Sequence, residues 1–170
     1  IKMKITLVGP GIMPIPPTGW GAVEILVWDT KNALEELGHE VQIINTKDYR
    51  QIINGINAFV PDFVHVHYDE FIPLIPYIQY PSAITSHFGY LERKEMFGGY
   101  INVAQEFQKL KPNVFCLSEG IQKVYNIMFD VPKENTYVTP NGVNLDRFRK
   151  STDPEYPDRS LYLAKIDYRK

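Results

Sequence analysis

Histidines and a glycine-bearing loop hold most of the chemistry in this sequence. His65 and His67 sit two residues apart in an apolar run, so on a strand they share one face. Asp69 and Glu70 follow closely. A metal site is imaginable there, but no further ligands stand at a recognisable spacing. Polar residues near a strand end, hydrogen-bonded to one another, fit the pattern better, and no metal is expected. His87 closes the run Ala83-Ile84-Thr85-Ser86-His87. It points toward the carboxyl edge of the sheet, where open α/β sheets bind ligands. A core or helix-capping histidine would give the same local sequence. The loop over residues 9–21 leaves an apolar strand and opens onto an amphipathic helix. Gly19 and Gly21 allow close approach of a ligand to the backbone, and the helix start favours an anion. The same glycines also suit a plain surface turn. The dinucleotide fingerprint fails, because Pro14 stands where a third glycine would be and the loop is too long, and the Walker pattern is absent.

Other candidates are less specific. Pro140-Asn141-Gly142 is a turn signal, and its extension through Val143, Asn144, Asp146 and Phe148 makes it distinctive. Cys116, the single cysteine, excludes an internal disulfide and reads as a buried structural thiol. Asp29, Glu35 and Glu36 fall on the solvent side of the first helix. Ser118 is placed to cap a helix. Trp20, Trp28, Tyr90, Phe97 and Tyr100 could stack on sugar rings, though aromatic residues ordinarily pack in cores.

The elements that must position these residues alternate along the chain. Short apolar runs predict strands over 4–9, 41–46, 63–68, 82–88, 113–118, 137–140 and 161–166. Helical spacing is clear over 20–37, with a stripe ending at Leu37 and a stop at Gly38, and over 119–129. Weaker signals cover 49–59, 70–79 and 100–110. Repeated β-α units imply an α/β fold: a Rossmann-like, doubly wound, mostly parallel sheet with helices on both faces. Residues 151–159 are polar with two prolines and read as a linker. They separate a domain over 1–150 from a strand in 160–170 that would begin a second domain.

Composition narrows the function classes. The 170 residues carry a net charge of −2 with no block of like charges, which argues against a nucleic-acid surface. No run reaches the ~20 apolar residues of a membrane span, and the start carries no signal-peptide pattern. One cysteine suggests a reducing compartment, so a cytoplasmic location is expected.

Taken together, the glycine-bearing loop, the run ending in His87 and the segment Thr139-Pro140-Asn141-Gly142-Val143-Asn144-Leu145-Asp146-Arg147-Phe148 resemble the N-terminal half of glycosyltransferase family 4, whose enzymes have the GT-B fold. The last residues, Leu163 to Lys170, resemble the start of that family's donor-binding domain. The resemblance implies transfer of a sugar from a nucleotide-sugar donor, with retention, to a glycan, lipid-linked or small-molecule acceptor. It implies that Gly19, Gly21, Lys165 and Lys170 lie against the donor phosphates and that His87 lies near the transferred sugar and acceptor. Asn141 and Gly142 would form the inter-domain turn, braced by Asp146. No cofactor is implied, because the nucleotide-sugar is a substrate and fixed cations hold the leaving diphosphate. Ala164-Lys165 replaces the family's usual Gly-Arg, which removes a bidentate phosphate contact. The family's glutamate pair would lie beyond Lys170, so the 170 residues alone are expected to be inactive, as the acceptor-side part of a longer enzyme.

Other readings remain open on the sequence. One is a non-catalytic half-length module that binds an acceptor or a catalytic partner subunit. Another GT-B enzyme, such as a phosphorylase or epimerase, is disfavoured by the hinge-like segment, and a Rossmann oxidoreductase by the failed glycine fingerprint. An exposed inter-domain face around Gly19, Trp20 and His87 would favour self-association. A lipid-linked acceptor would place the protein at the inner membrane face.

Overall fold

The computed structural model describes residues 1–87 and 100–148. The expected linker over 151–159, the strand over 161–166 and both Lys165 and Lys170 lie outside the described residues. In chain order the elements are β1 (Lys4–Val8), α1 (Ala22–Glu36), β2 (Glu40–Ile44), α2 (Tyr49–Phe59) and β3 (Phe63–Val66). A 3-10 segment (Asp69–Tyr77) leads to β4 (Ser82–Ile84), then α3 (Tyr100–Leu110), β5 (Val114–Cys116) and α4 (Glu119–Met128). A short 3-10 turn (Lys133–Asn135) precedes β6 (Thr136–Val138). All strand pairs are parallel, in the order β2-β1-β3-β4-β5-β6. The direction of winding therefore reverses between β1 and β3, and that switch point is where open α/β sheets hold ligands.

Alternation within the strands divides the core in two. Ile5 and Leu7 of β1 pack with Val27 of α1 on one face. Val8, Val64, Val66, Ile84 and Val114 point to the other face. There they meet Ile52 and Ile56 of α2, Phe71 and Ile72 of the 3-10 segment, Phe107 of α3 and Tyr125 of α4. Right-handed crossovers account for the split, because β1 to β2 runs one way across the sheet and the later crossovers run the other. Val8, Val64, Val66 and Ile84 are fully buried, and each buried aliphatic side chain of this size stabilises the fold by about 1.5–3 kcal/mol. On the α1 face, only β1 and β2 are covered by a helix among the described residues. Phe63, His65, Phe115 and Tyr137 form a ring-to-ring row on the remainder.

Local chemistry sets the element ends. Asp48 accepts N–H bonds from Arg50 (2.9 Å) and Gln51 (3.1 Å) and so caps α2. Ser118 caps α4 through Ile121 N–H at 3.2 Å, as its position predicts. The helix expected over 70–79 is a 3-10 segment instead, since Pro73 and Pro76 offer no N–H to an α-helical ladder. Leu37, expected on the buried stripe of α1, is 75% exposed, because α1 ends at Glu36 and Leu37 is its C-cap, outside the helical stripe. Cys116 is fully buried, and burial pushes its thiol up to about 11, so it is a structural thiol. Among the described residues no helix is long and apolar enough to cross a membrane.

Candidate functional site

A cleft of about 560 Å³ opens beside the switch point. One wall is α1, through Leu26, Asp29 and Ala33. The floor is the uncovered sheet face, with His65 of β3, His67 just past it, Thr85 and His87 after β4, and Phe115 of β5. The other wall is the segment over 139–146. That segment starts from the sheet, where Thr139 N–H donates to the Cys116 carbonyl at 2.8 Å. It ends in a tight turn in which Asn144 Oδ1 accepts N–H bonds from Asp146 (3.0 Å) and Arg147 (3.3 Å). The Arg147 guanidinium then pairs with the Asp29 carboxylate of α1, closing the ring of walls.

The floor is organised by histidines. In register, His65 stands between Leu7 of β1 and Ala83 of β4. Its Nε2 lies 2.7 Å from the Thr85 hydroxyl, and its ring centroid lies 3.8 Å from that of His67. His67 Nδ1 in turn lies 3.1 Å from His87 Nε2, with the two rings 12° from parallel. Burial pushes His65 down to about 3, helped by the neighbouring His87. His67 is held well below its ordinary value by burial and by both flanking rings. His87 is lowered to about 4 by burial. All three are therefore neutral imidazoles at pH 7, each with one N–H and one lone pair to offer. They offer hydrogen-bond donors and acceptors and supply no positive charge. Among the described residues no group of three or more His, Cys, Asp or Glu side chains could hold a metal ion.

Asp69 lies just beyond this row and is fully buried. Burial pushes its carboxyl up to about 7. Ser86 and the backbone N–H groups of Asp69 and Glu70 lie close enough to oppose the rise, while neither carboxyl oxygen reaches hydrogen-bond geometry with a described residue.

The glycine-bearing loop is held by side chains distant in sequence. Asn45 accepts from Gly11 N–H at 2.8 Å and donates to the Met13 carbonyl at 2.8 Å. Gly11 has φ of +66°, and a Cβ there would lie 2.6 Å from the Thr46 carbonyl carbon. Gly21 caps α1 with φ of +146°, and its missing Cβ leaves room for the Glu24 carboxylate, which accepts from Met13 N–H at 3.1 Å. The start of α1 thus carries a buried acidic group of its own. A Cβ on Gly19 would meet nothing.

The structure brings His87, Asn141, Gly142 and Asp146 to one cleft. It does not bring Gly19 or Gly21 to the lining of that cleft, and Lys165 and Lys170 lie outside the described residues. Asp29 and Glu36, expected to face solvent, border the cleft because the segment over 139–146 folds back across α1. No spacing within the helix could reveal that return, since Asp29 and Arg147 are 118 residues apart. The role of Thr85 and the burial of Asp69 carry no signal of their own in the sequence; the signal for the floor is the pair His65 and His67.

No protein-family model matches the chain. No curated protein sequence matches it either. Among solved structures, Anabaena HepE, crystallised in complex with UDP and glucose, matches with a TM-score of 0.53 at 15% sequence identity. The match covers 88% of this chain and 47% of that one, so the chain spans about half the length of this structural neighbour. At this identity the two share a fold, the Rossmann-like α/β sheet.

Proposed function

We propose that the chain is the acceptor-side domain of a retaining, nucleotide-sugar-dependent glycosyltransferase of the GT-B type, similar to family 4. The observation that carries this reading is that one cleft at the switch point is bordered both by His87 and by Asn141, Gly142 and Asp146. In this reading His87 contacts the transferred sugar or the acceptor, and the turn at Asn141–Gly142, with Asp146, leads toward a donor-binding domain. The chemistry of the cleft supports the acceptor side. Among the described residues its lining holds neutral histidines, the carboxylates Glu36 and Asp146, and Asp29, which is paired with Arg147; no lysine or arginine lines it. Carboxylates and imidazoles accept hydroxyl hydrogens well, whereas a diphosphate would be repelled. The donor diphosphate is accordingly assigned to Gly19, Gly21, Lys165 and Lys170. The fold shared with half of a chain that binds UDP and glucose, the two parts of a nucleotide-sugar, supports the same reading.

On this proposal the 170 residues alone do not complete a transferase site, the acceptor is a glycan, lipid-linked or small-molecule hydroxyl compound, and the enzyme works in the cytoplasm or at the inner membrane face. Fixed cations and a helix end neutralise the departing diphosphate, with no metal required. The test is to purify the native protein from its source cells, measure its intact mass, and assay release of nucleoside diphosphate from a panel of nucleotide-sugars with mixed saccharide acceptors. Acceptor-dependent release by a protein heavier than 19.7 kDa is expected. A native protein of 19.7 kDa that turns over none of them would favour the non-catalytic binding module.

A further inference from the structure

His67 is 4% exposed, and its Nε2 has no hydrogen-bond partner among the described residues. The hydrogen bond it does make among them runs from Nδ1 to Nε2 of His87, 3.1 Å away. Two neutral imidazoles joined by one hydrogen bond have two arrangements. In the first, His67 Nδ1–H donates; His67 Nε2 is then a bare lone pair, and His87, accepting at Nε2, carries its own proton on Nδ1. In the second, His87 Nε2–H donates, and His67 must carry its proton on Nε2, a buried N–H with nothing to receive it. Orphaned buried N–H groups are rarer in native proteins than under-satisfied acceptors. The His65 ring lies against His67 with centroids 3.8 Å apart and the planes tilted by 38°.

We infer that His67 is a positioning residue that fixes His87 in its Nδ1–H tautomer, so that the ring nitrogen His67 leaves unengaged meets a ligand hydroxyl as a donor. This makes the recognition directional. His87 gives a hydrogen to the oxygen lone pair of a sugar hydroxyl, while Glu36 and Asp146 accept hydrogens from other hydroxyls, a division of roles that suits a polyol, whose hydroxyls both donate and accept. The ligand half of the inference rests on the reading of the cleft as a sugar site. The tautomer half stands without it.

The test is long-range proton–nitrogen correlation NMR on the 170-residue protein with nitrogen-labelled histidine at pH 7, which reads protonation at each ring nitrogen. The expected spectrum shows His67 and His87 both protonated at Nδ1. Both rings protonated at Nε2, or either one charged, overturns the inference. In His67→Asn the side-chain amide can stand in for Nδ1–H, and His87 is expected to keep its Nδ1–H form; in His67→Phe it is expected to shift toward Nε2–H. An unchanged His87 in His67→Phe would refute a positioning role, and the wild-type spectrum decides the tautomer even where a variant does not fold. Titration with glucose is expected to move the His87 nitrogen signals. A His87 that stays still with the tautomer as inferred overturns the ligand half and leaves the tautomer standing.

Discussion

Replacing Asp69 with asparagine should change how stability depends on pH, in a direction fixed by burial. In the folded chain the Asp69 carboxyl is pushed up to about 7 from an ordinary 3.8. The folded state therefore binds a proton more tightly than the unfolded state does. A group of this kind stabilises the fold fully below its unfolded value, and the benefit disappears as pH rises through the folded value. The full effect is about 4 kcal/mol at ~1.4 kcal/mol per pKa unit. Over a practical range, the wild-type protein should lose roughly 2.5 kcal/mol between pH 5 and pH 8 from this one group. The amide of the variant has nothing to ionise. The lowered histidines act in the opposite sense, stabilising above their unfolded values and losing that contribution as pH falls, but they are common to both proteins and cancel in the difference. Urea unfolding of both proteins at pH 5, 6, 7 and 8 gives the comparison. The stability of Asp69→Asn relative to wild type should climb by roughly 2.5 kcal/mol across that range. A flat difference, or wild type gaining on the variant as pH rises, would refute the claim that Asp69 is a buried, inadequately compensated carboxyl.

Other perturbations follow from the same geometry. Asn45→Ala removes both of the bonds Asn45 makes to the glycine-bearing loop and leaves Gly11 N–H and the Met13 carbonyl unmatched, so unfolding free energy should fall by about 2 kcal/mol; chemical denaturation at unchanged midpoint would contradict it. Gly11→Ala should cost at least about 1 kcal/mol, because the left-handed backbone and the contact at 2.6 Å both resist a side chain. A thermal melt matching wild type would count against that. The Asp29–Arg147 pair is partly exposed, so a double-mutant cycle with Asp29→Asn and Arg147→Gln should give a coupling below about 1 kcal/mol. The same variants should nevertheless speed amide exchange over 141–148; exchange identical to wild type would show that the pair does not hold this segment against α1.

Much of the fold is legible because parallel strands of a largely buried sheet read as short apolar runs. Residues 4–9, 63–68 and 113–118 each contain the observed strand, and Ser118 announces the start of α4 as its cap. The prolines at 73 and 76 were visible as well, yet the apolar spacing around them still suggested an α-helix; their missing N–H groups decide for the 3-10 form. Strand ends were overestimated wherever pairing stops before the apolar run does. The sequence run to His87 continues past the last β4 residue, Ile84, and Thr85 instead finishes the pairing by donating to the Val66 carbonyl at 2.8 Å. Of the site, the spacing of His65 and His67 revealed a shared face, and the position of His87 revealed the ligand edge. The bond between His67 and His87 could not be read, since it joins two strands through their lateral pairing. Nor could the roles of Asp29 and Asn45, whose partners lie 118 and 34 residues away and are brought to them only by the finished sheet. Burial of Asp69 is hidden for a similar reason, because a carboxylate three residues past a strand ordinarily reaches water.

The most direct measurement is nucleotide-sugar turnover by the native protein beside its His87→Ala variant, with urea unfolding run on both to confirm equal folding. A donor that touches the reacting sugar contributes roughly 10²–10³-fold. His87→Ala should therefore lower kcat/KM for sugar transfer by about that factor while the folded fraction is unchanged. A variant that transfers sugar as fast as the wild-type protein would contradict the placement of the sugar in the cleft between α1, β3 and the segment over 139–146.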